Sequence, residues 1–513
     1  MRFELLTPDL IGATPVGERV FTAHPLLIAR MDQLARNDDL LSDLERTDWD
    51  LVVVDEAHRM SAHYYGNELK ATRRYELGRL LGRIARHFLL MTATPHAGKE
   101  EDFQAFMALL DPDRYEGRFR RDEHTADAGD LMCRRVKEEL LTFEGRPLFP
   151  ERRASTVPYE LSPLEHELYE AVTHYVRTEM NRADQLRQVG EGRRGNTVGF
   201  ALTVSQRRLA SSPEAILRSL ERRQRRLELR LREMQAHAAT APREPQFEER
   251  LGAVTAEELD DALEELGADE LEDLEDQVVD AATAARTAEE LRREIAVVSD
   301  LVGLARSARR SGSDKKWSEL RDLLLSDSVH DHSSGSLRKI IVFTEHRDTL
   351  QYLVGQIRAL LGRSEAVAMI HGGIPRPGRR AVQALFSQDP ECAVLVATDA
   401  AGEGLNLQQA NLMVNYDLPW NPNRIEQRFG RIHRIGQREV CHLWNLVATD
   451  TRGGDVFQRL LDKIEQQRQA YRGKVFDVLG EAFEDTPLRK LLIEAIRYGE
   501  QPEVRARLHN DHR

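Results

Sequence analysis

The sequence predicts an α/β protein in which two blocks of parallel strands are separated by a long helical segment. Three observations lead to this prediction: short apolar runs recur in the first 115 residues, helical periodicity dominates the middle, and apolar runs return from Leu337. The predicted domains are residues 1–115, residues 116–336, residues 337–455 and a helical tail over residues 456–513.

The first block contains three candidate strands. Trp49–Val54 and Phe88–Met91 are short, apolar and rich in branched side chains, which is typical of buried parallel strands. His24–Ile28 is a third candidate, whereas residues 116–160 carry many Arg and Pro residues and are expected to be less regular.

The middle segment is predicted to be helical. Ser162–Glu165 resembles a capping box with Pro at the first helical position, and Pro213–Glu233 has leucines at helical spacing. In residues 247–276 acids heavily outnumber bases while Leu recurs every three or four residues. This pattern fits a solvated helical pair or coiled coil, or else an acidic arm that mimics DNA or binds a partner. Ser326–Ser336 reads as a linker.

The second block has apolar runs that are spaced for helices between them, which favours a doubly wound parallel sheet. The five predicted strands are Lys339–Phe343, Ala366–Ile370, Ala393–Ala397, Leu412–Tyr416 and Leu443–Val447.

The bulk properties exclude several classes of protein. A chain of 513 residues with 41% hydrophobic and 31% charged residues can form two or three domains, each with its own core. The net charge of −13 gives no overall basic field for nucleic acid. No apolar run reaches a membrane-spanning length, and three widely separated cysteines favour neither disulfides nor zinc, so we expect a cytoplasmic protein.

Two acidic residues follow the strongest strand of the first block. Asp55 is expected at the carboxyl end of Trp49–Val54, where ligands of open α/β sheets bind, and there it can hold Mg²⁺ through water. Glu56 is placed to orient or deprotonate an attacking water. Hydroxyl groups of Met91–Pro95, after the next strand, are expected to hydrogen-bond Asp55 and His58. A surface acid pair that simply ends a strand is the alternative.

The second block carries its own polar residues. Thr398–Asn406 follows a strand, and Gly402 and Gly404 would let the backbone approach a ligand closely. Arg428, Arg431 and Arg434 are spaced three residues apart and are predicted to share one helical face. An arginine that reaches a γ-phosphate can accelerate hydrolysis by roughly 10³–10⁵. A basic surface helix is the alternative.

No phosphate loop accompanies these residues. The run G-x-x-x-x-G-K-[ST] does not occur, and Gly98-Lys99 is followed by Glu100.

Together these motifs resemble the DEAH-box superfamily II helicases, specifically the Swi/Snf-type translocases. The matching segments are Asp55–His58 (motif II), Met91–Pro95 (III), Phe343–His346 (IV), Thr398–Asn406 (V), Gln427–Gln437 (VI) and Asn415–Pro422, which leads into motif VI. Within the family, residues 94–99 and Gln206–Ser211 are similar to HepA/RapA-like ATPases and to the helicase of the DISARM phage-defence system.

The resemblance implies two RecA-like lobes, the first incomplete, which hydrolyse ATP with Mg²⁺ and move along DNA, with double-stranded DNA as the expected track. An N-terminal helicase half and defence-system subunits are the protein partners that it suggests. By motif it implies a set of site residues: Asp55 and Glu56 for Mg²⁺ and water, Arg431 and Arg434 for the phosphates, Gly402, Gly404, Asn406, Gln427 and Arg428 for the nucleotide, and His58, Thr92, Thr94 and Asp399 for coupling.

Ile28–Asn37 is similar to the family's Ib region, and the family's phosphate loop lies upstream of Ib, so we expect the chain to be the C-terminal portion of a larger translocase. The missing strand would leave apolar edges on the strands that end at Val54 and Met91. Two functions remain open: an ATP-driven translocase completed by another segment, and a catalytically silent subunit that binds DNA or protein.

Overall fold

A computed structural model describes most of the chain, namely residues 3–15, 18–65, 68–92, 100–115, 129–133, 135, 137–188, 190, 192–236, 274–279, 282–399, 405–421, 423–470 and 488–498. The chain divides into two compact units. Unit 1 comprises Met1–Arg135 with Phe476–Asp485, and unit 2 comprises Val136–Val475 with Thr486–Arg513.

Unit 1 is built from short strands and helices. In chain order these are β1 (Glu4–Leu5), α1 (Pro8–Ala13), α2 (Val20–Ala23), β2 (Leu27–Ile28), α3 (Met31–Ala35), α4 (Asp38–Leu44), β3 (Trp49–Val54), β4 (Ala62–Tyr65), β5 (Glu68–Ala71), α5 (Arg73–Ile84), β6 (Ala85–Leu90), α6 (Glu100–Met107) and α7 (Pro112–Tyr115). β1 pairs with β2 and β3 with β6, both in parallel, whereas β4 and β5 are antiparallel. The two principal predicted strands are confirmed, and the third candidate is reduced to β2.

The strand pair β3–β6 buries only one of its faces. Val54 and Leu90 pack into a core with Tyr75 and Leu77 of α5. The opposite face carries apolar side chains that are 56, 47, 49 and 42% exposed, namely Leu51, Val53, Leu89 and Met91. The expectation of fully buried strands is therefore wrong here, since no element in the described part of the chain covers this second face.

Unit 2 contains a helical part and a sheet. Its long helices are α8 (Pro163–Gln188), α9 (Gly192–Ser211), α10 (Pro213–Ala236), α11 (Ala288–Ser311) and α12 (Lys315–Leu325). The capping box at the start of α8 is confirmed: the Ser162 amide donates to Glu165 Oε2 at 2.8 Å, and the Glu165 amide donates to Ser162 Oγ at 3.4 Å. The predicted acidic segment lies outside the described residues, apart from residues 274–276.

The second part of unit 2 is a six-stranded parallel sheet with helices between its strands. Its elements are β7 (Arg152–Tyr159), β8 (Ile340–Thr344), α13 (Arg347–Leu361), β9 (Val367–Ile370), α14 (Arg376–Gln388), β10 (Val394–Thr398), β11 (Leu412–Asn415), α15 (Asn423–Phe429) and β12 (Cys441–Ala448), followed by α16 (Arg452–Ala470) and α17 (Leu488–Tyr498). The strand order is β7-β12-β11-β8-β10-β9. The three strands β8, β10 and β11 are buried along their whole length, as expected for parallel strands covered on both faces.

All five strands predicted for the second block are present, but the sheet has a sixth. β7 lies in the stretch expected to be irregular and pairs with β12 from Arg152 to Tyr159. Its sequence, RRASTVPY, contains two arginines and Pro158, so it lacks the apolar pattern of a buried strand. β7 is an edge strand, where a proline and charged side chains are tolerated because one side of the backbone needs no partner. We therefore infer that the sheet domain begins before the predicted boundary at residue 337.

Candidate functional site

The loop after β3 in unit 1 presents two adjacent carboxylates. Asp55 and Glu56 are both exposed and follow the last residue of β3, so they lie at the carboxyl end of a parallel strand. The amide of Glu56 donates to Asp55 Oδ1 at 3.0 Å. Mg²⁺ is typically bound by one or two carboxylates together with substrate phosphates and water, and this exposed pair fits that requirement.

Glu56 has a strained backbone. With φ 52° and ψ 42° it lies in the left-handed region, and it is the only non-glycine residue with a positive φ among the described residues. For an L-residue this conformation costs roughly 1–2 kcal/mol, and such strain is concentrated at functional sites. The orientation of the Glu56 side chain is therefore kept at a cost in local stability.

Backbone hydrogen bonds between neighbouring strands fix this loop. The Met91 amide donates to the Val54 carbonyl at 2.8 Å, and the Ala57 amide donates to the Met91 carbonyl at 2.9 Å. The loop is thereby attached to the end of β6 on both sides of Asp55 and Glu56.

His58 links the acidic loop to the segment after β6. Its Nδ1 lies 3.1 Å from Thr92 Oγ1 and 3.4 Å from Glu56 Oε2, so the predicted hydrogen bond between His58 and a hydroxyl of this segment is confirmed. Burial lowers the pKa of His58 to about 4, the cations Arg59 and Arg74 add to this effect, and Asp55 opposes it. His58 is therefore neutral near pH 7. Thr94, the other predicted hydroxyl, lies outside the described residues.

Among the described residues, no group of three or more His, Cys, Asp or Glu side chains could hold a metal ion. The carboxylates of Asp55 and Glu56 alone would need a nucleotide and water to complete an octahedral Mg²⁺ site.

In unit 2, the Arg428 side chain is buried, and its hydrogen-bond partners belong to the same unit. Its side chain is 2% exposed and forms a two-pronged ion pair with Asp399, with distances of 2.5 Å from Nε to Oδ1 and 2.7 Å from Nη2 to Oδ2. Nη1 donates to Asn415 Oδ1 at 3.0 Å and to the Asp417 carbonyl at 2.6 Å. The structure thus brings together two predicted residues, Arg428 and Asp399, in an internal ion pair.

The ion pair follows from the register of the sheet. Thr398 of β10 lies opposite Thr344 of β8, and Asn415 of β11 lies opposite Phe343. The residues that follow these strands therefore meet at one edge of the sheet, where α15 delivers Arg428. The guanidinium holds the pKa of the Asp399 carboxyl below its ordinary value, against the opposing effect of burial.

The other motif arginines do not share a helical face with Arg428. α15 ends at Phe429, and Gly430 begins a series of turns, so Arg431 and Arg434 lie beyond the helix and the prediction of a common face is wrong. Gly430 lacks a side chain and favours the end of a helix, a signal that the three-residue spacing of the arginines obscured. Both arginines are half-buried, and Arg434 Nε donates to the Gly430 carbonyl at 2.9 Å.

The remaining predicted nucleotide residues are only partly described. Gln427 is exposed on α15, and Asn406 is exposed with its Oδ1 accepting from the Gln408 amide at 3.2 Å. Gly402 and Gly404 lie outside the described residues.

Lys316, Ser211 and Asp417 are not among the predicted site residues. Ser211 and Lys316 both donate to the carboxylate of Asp417, whose carbonyl accepts from Arg428. Asp417 stands in the quoted segment before motif VI, so its position carried a signal. Lys316 lies within a helical run and carried none, because only the folded chain brings it to Asp417.

Comparisons with known proteins relate the chain to helicases. Residues 315–436 match the helicase conserved C-terminal domain. An uncharacterized ATP-dependent helicase, YqhH of Bacillus subtilis, is 25% identical over 440 residues, covering 84% of this chain and 61% of the relative. The RNA polymerase-associated protein RapA of Pectobacterium carotovorum is 23% identical, covering 82% of this chain and 38% of the relative. The chain thus spans less than two thirds of the length of these curated relatives.

A solved structure, the Sulfolobus solfataricus SWI2/SNF2 ATPase core in complex with double-stranded DNA, is 15% identical with a TM-score of 0.33, covering 97% of this chain and 81% of that one.

The motifs, the matched domain and the named relatives define a helicase-type α/β protein. More narrowly, the chain is similar to the Swi/Snf-type helicases of superfamily II, among which the named relatives include an ATP-dependent helicase and RapA. The predicted α/β fold class is confirmed. No described helix has the length and apolar character needed to cross a membrane.

Proposed function

We propose that the chain supplies the hydrolytic and coupling residues of an ATP-dependent DNA translocase of the Swi/Snf type. In this proposal Asp55 holds Mg²⁺ through water, and Glu56 orients and deprotonates the water that attacks the γ-phosphate. Arg431 and Arg434 stabilise the phosphate charge that develops during transfer. Asn406 and Gln427, with Gly402 and Gly404, contact the nucleotide.

One observation carries the proposal: the loop after β3 holds two exposed carboxylates while Glu56 is kept in a left-handed conformation. A left-handed non-glycine residue is uncommon, and such strained residues cluster at active sites and ligand-binding sites, which favours a function for this acid pair. The hydrogen bond from His58 to Thr92 supports a coupling role, because it joins the acidic loop to the segment that follows β6.

Hydrolysis of ATP by the purified chain, with and without duplex DNA, tests the proposal. We expect DNA to stimulate hydrolysis and Glu56→Gln to abolish it, because the amide cannot accept a proton from water. Glu45→Gln is a matched control, since Glu45 is an exposed glutamate of unit 1 that lies away from the loop. Wild-type rates in Glu56→Gln would contradict the proposal.

A second candidate is a subunit that binds DNA but turns over ATP only when another polypeptide segment supplies a phosphate loop. The apolar face formed by Leu51, Val53, Leu89 and Met91 favours it. Parallel sheets are almost always covered on both faces, so this face is suited to a further α/β segment. The sequence also has no G-x-x-x-x-G-K-[ST] run to cradle phosphates.

Binding and turnover measured together separate the two candidates. Anisotropy of a fluorescein-labelled DNA duplex reports binding, and phosphate release reports turnover. DNA binding with turnover supports the first candidate. DNA binding without turnover, and turnover restored by a purified polypeptide that carries the phosphate loop, supports the second.

A further inference from the structure

The end of α9, Gln206–Ser211, is set apart by its buried polar side chains. Gln206, Arg208 and Ser211 are buried, although a helix end in a charged segment would ordinarily face solvent. Buried polar groups are ordinarily retained with partners. Gln206 Nε2, Arg208 Nη1 and Ser211 Oγ have partners inside the unit, whereas Gln206 Oε1 has none. Their partners show what this helix end holds in place.

Ser211 binds Asp417, the second residue after β11. Its hydroxyl donates to Asp417 Oδ2 at 2.7 Å and lies 2.6 Å from Thr349 Oγ1 at the start of α13. The neighbouring Ser212 hydroxyl lies 2.8 Å from the same threonine. The helix end is thus attached to both β11 and α13.

The Asp417 carboxylate accepts from four donors in this arrangement. Lys316 of α12 donates to Oδ1 at 2.6 Å and also to the carbonyls of Ala210 and Ser211 at 2.8 and 3.2 Å. The Thr344 hydroxyl and the Glu345 amide donate to Oδ2 at 2.5 and 3.1 Å. Donors on both oxygens hold this carboxylate in its observed orientation.

The carbonyl of Asp417 in turn accepts from Arg428 Nη1, and the same guanidinium holds Asp399. A continuous series of hydrogen bonds therefore runs from Ser211 through Asp417 to Arg428 and Asp399. Ser211, Asp417 and Arg428 are buried and Asp399 is half-buried, and in such surroundings hydrogen bonds between charged groups are strong.

Arg207 makes a second connection from the same helix end. Its guanidinium lies between two carboxylates, 2.7 Å from Glu345 Oε1 and 2.6 Å from Glu275 Oε1. Glu345 directly follows β8, so this arginine fixes the strand end next to β11. Glu275 belongs to the described end of the acidic segment, and the adjacent Asp276 pairs with Arg208.

We propose that the end of α9 is a positioning element, in which Ser211 and Arg207 set the place of the Arg428–Asp399 pair without touching the nucleotide. This inference rests on the proposed function, because it gives the helical part of unit 2 a role in the coupling step of ATP hydrolysis. It assigns a purpose to Gln206–Ser211 that the motifs of the two strand blocks leave unexplained.

Ser211→Ala tests the proposal with Ser307→Ala as its matched control. Ser307 is an exposed serine of α11 whose hydroxyl bonds only its own helix, at Gly303. We expect the Ser211→Ala variant to lower kcat about tenfold, the effect of losing one hydrogen bond to a charged group, and to leave KM for ATP unchanged. Arg207→Lys, which retains the charge but cannot span two carboxylates, is a second variant that should act in the same direction.

Hydrogen–deuterium exchange of residues 405–437 makes the test independent of turnover. We expect faster amide exchange there in Ser211→Ala and wild-type exchange in Ser307→Ala. Unchanged exchange would overturn the proposal whether or not the protein hydrolyses ATP. Faster exchange with unchanged kcat would overturn the positioning role. A wild-type protein without turnover, alone and with a phosphate-loop polypeptide, would contradict the proposed function, and exchange alone would then decide whether α9 positions Arg428.

Discussion

The acidic loop of unit 1 (Asp55 and Glu56) and the buried Arg428–Asp399 pair of unit 2 differ in exposure and in the number of their partners. Glu56 is 51% exposed, in a strained backbone, with few partners, whereas Arg428 is 2% exposed and bound by Asp399, Asn415 and the Asp417 carbonyl. The first region leaves its carboxylates accessible, and the second fixes its polar groups against each other. Residues of the family's motifs therefore divide into those that are accessible to a substrate and those that hold the scaffold.

The largest expected effect comes from breaking the buried ion pair between Lys316 and Asp417 in unit 2. Lys316→Met leaves Asp417 as an uncompensated buried carboxylate, and removing one partner of such a pair costs about 3–5 kcal/mol. Urea unfolding of unit 2, followed by tryptophan fluorescence, should report this loss of free energy. Lys315→Met changes a lysine at the first position of the same helix and serves as the control. Equal stability of both variants would contradict the account.

The same pair predicts a pH dependence. Lys316, His346 and the hydroxyl donors outweigh the effect of burial and lower the pKa of Asp417 from 3.8 to about 2. Because the folded pKa lies below the ordinary value, the stability that Asp417 contributes is present above about pH 4 and is lost as the pH falls towards 2. Thermal unfolding midpoints from pH 2 to 7 should show this loss in the wild type. In Lys316→Met the loss should begin at higher pH.

A smaller effect is expected from Arg428→Lys. Lysine retains the charge beside Asp399 but cannot reproduce the planar fork of hydrogen bonds, so the expected cost is about 2–3 kcal/mol. Gln427→Ala, at the exposed neighbouring position of α15, should leave the unfolding free energy unchanged. If Arg428→Lys changed the unfolding free energy as little as Gln427→Ala, the distinction between scaffold and substrate residues within this motif would be wrong.

Backbone strain at Glu56 predicts an unusual pair of stabilities. Glycine adopts a positive φ without penalty, so Glu56→Gly should be more stable than Glu56→Ala by about 1 kcal/mol, the reverse of the usual order. Chemical unfolding of the two variants measures this difference directly. If alanine were the more stable residue, the left-handed conformation of Glu56 would not be present in solution.

The smallest effect is expected at Thr92. Thr92→Val removes the hydroxyl that bonds His58, at a cost of about 1 kcal/mol, and should reduce the stimulation of ATP hydrolysis by DNA. Thr22→Val removes a hydroxyl that bonds the Arg19 carbonyl at the start of α2, and should leave stimulation unchanged. Equal stimulation in both variants would argue against a coupling role for Thr92.

The sequence predicted the fold best where local pattern and tertiary environment agree. β8, β10 and β11 are apolar along their length because both faces are covered, and all three were found within a residue or two. β7 was missed because an edge strand needs neither apolar residues on both faces nor a complete set of amide donors. The exposed face of β3 and β6 could not be foreseen from their apolar sequence, which predicts burial on both sides.

The candidate site was predictable to the level of motifs and not to the level of partners. Asp55, Glu56 and His58 stand next to one another in the sequence, so their proximity needed no fold. The hydrogen bonding of Asp417 to Ser211 and Lys316 joins residues that are 206 and 101 positions apart. Only the sheet and the helical part together create that contact, and no spacing rule could reveal it.

Turnover and stability measured on the same two variants test the central claim most directly. ATP hydrolysis in the presence of DNA, and of a phosphate-loop polypeptide if turnover requires one, is compared with the unfolding free energy for Glu56→Gln and Lys316→Met. We expect Glu56→Gln to lose turnover and keep wild-type stability, whereas Lys316→Met should lose stability. Turnover by Glu56→Gln at the wild-type rate would contradict the assignment of the acidic loop as the hydrolytic end of the site.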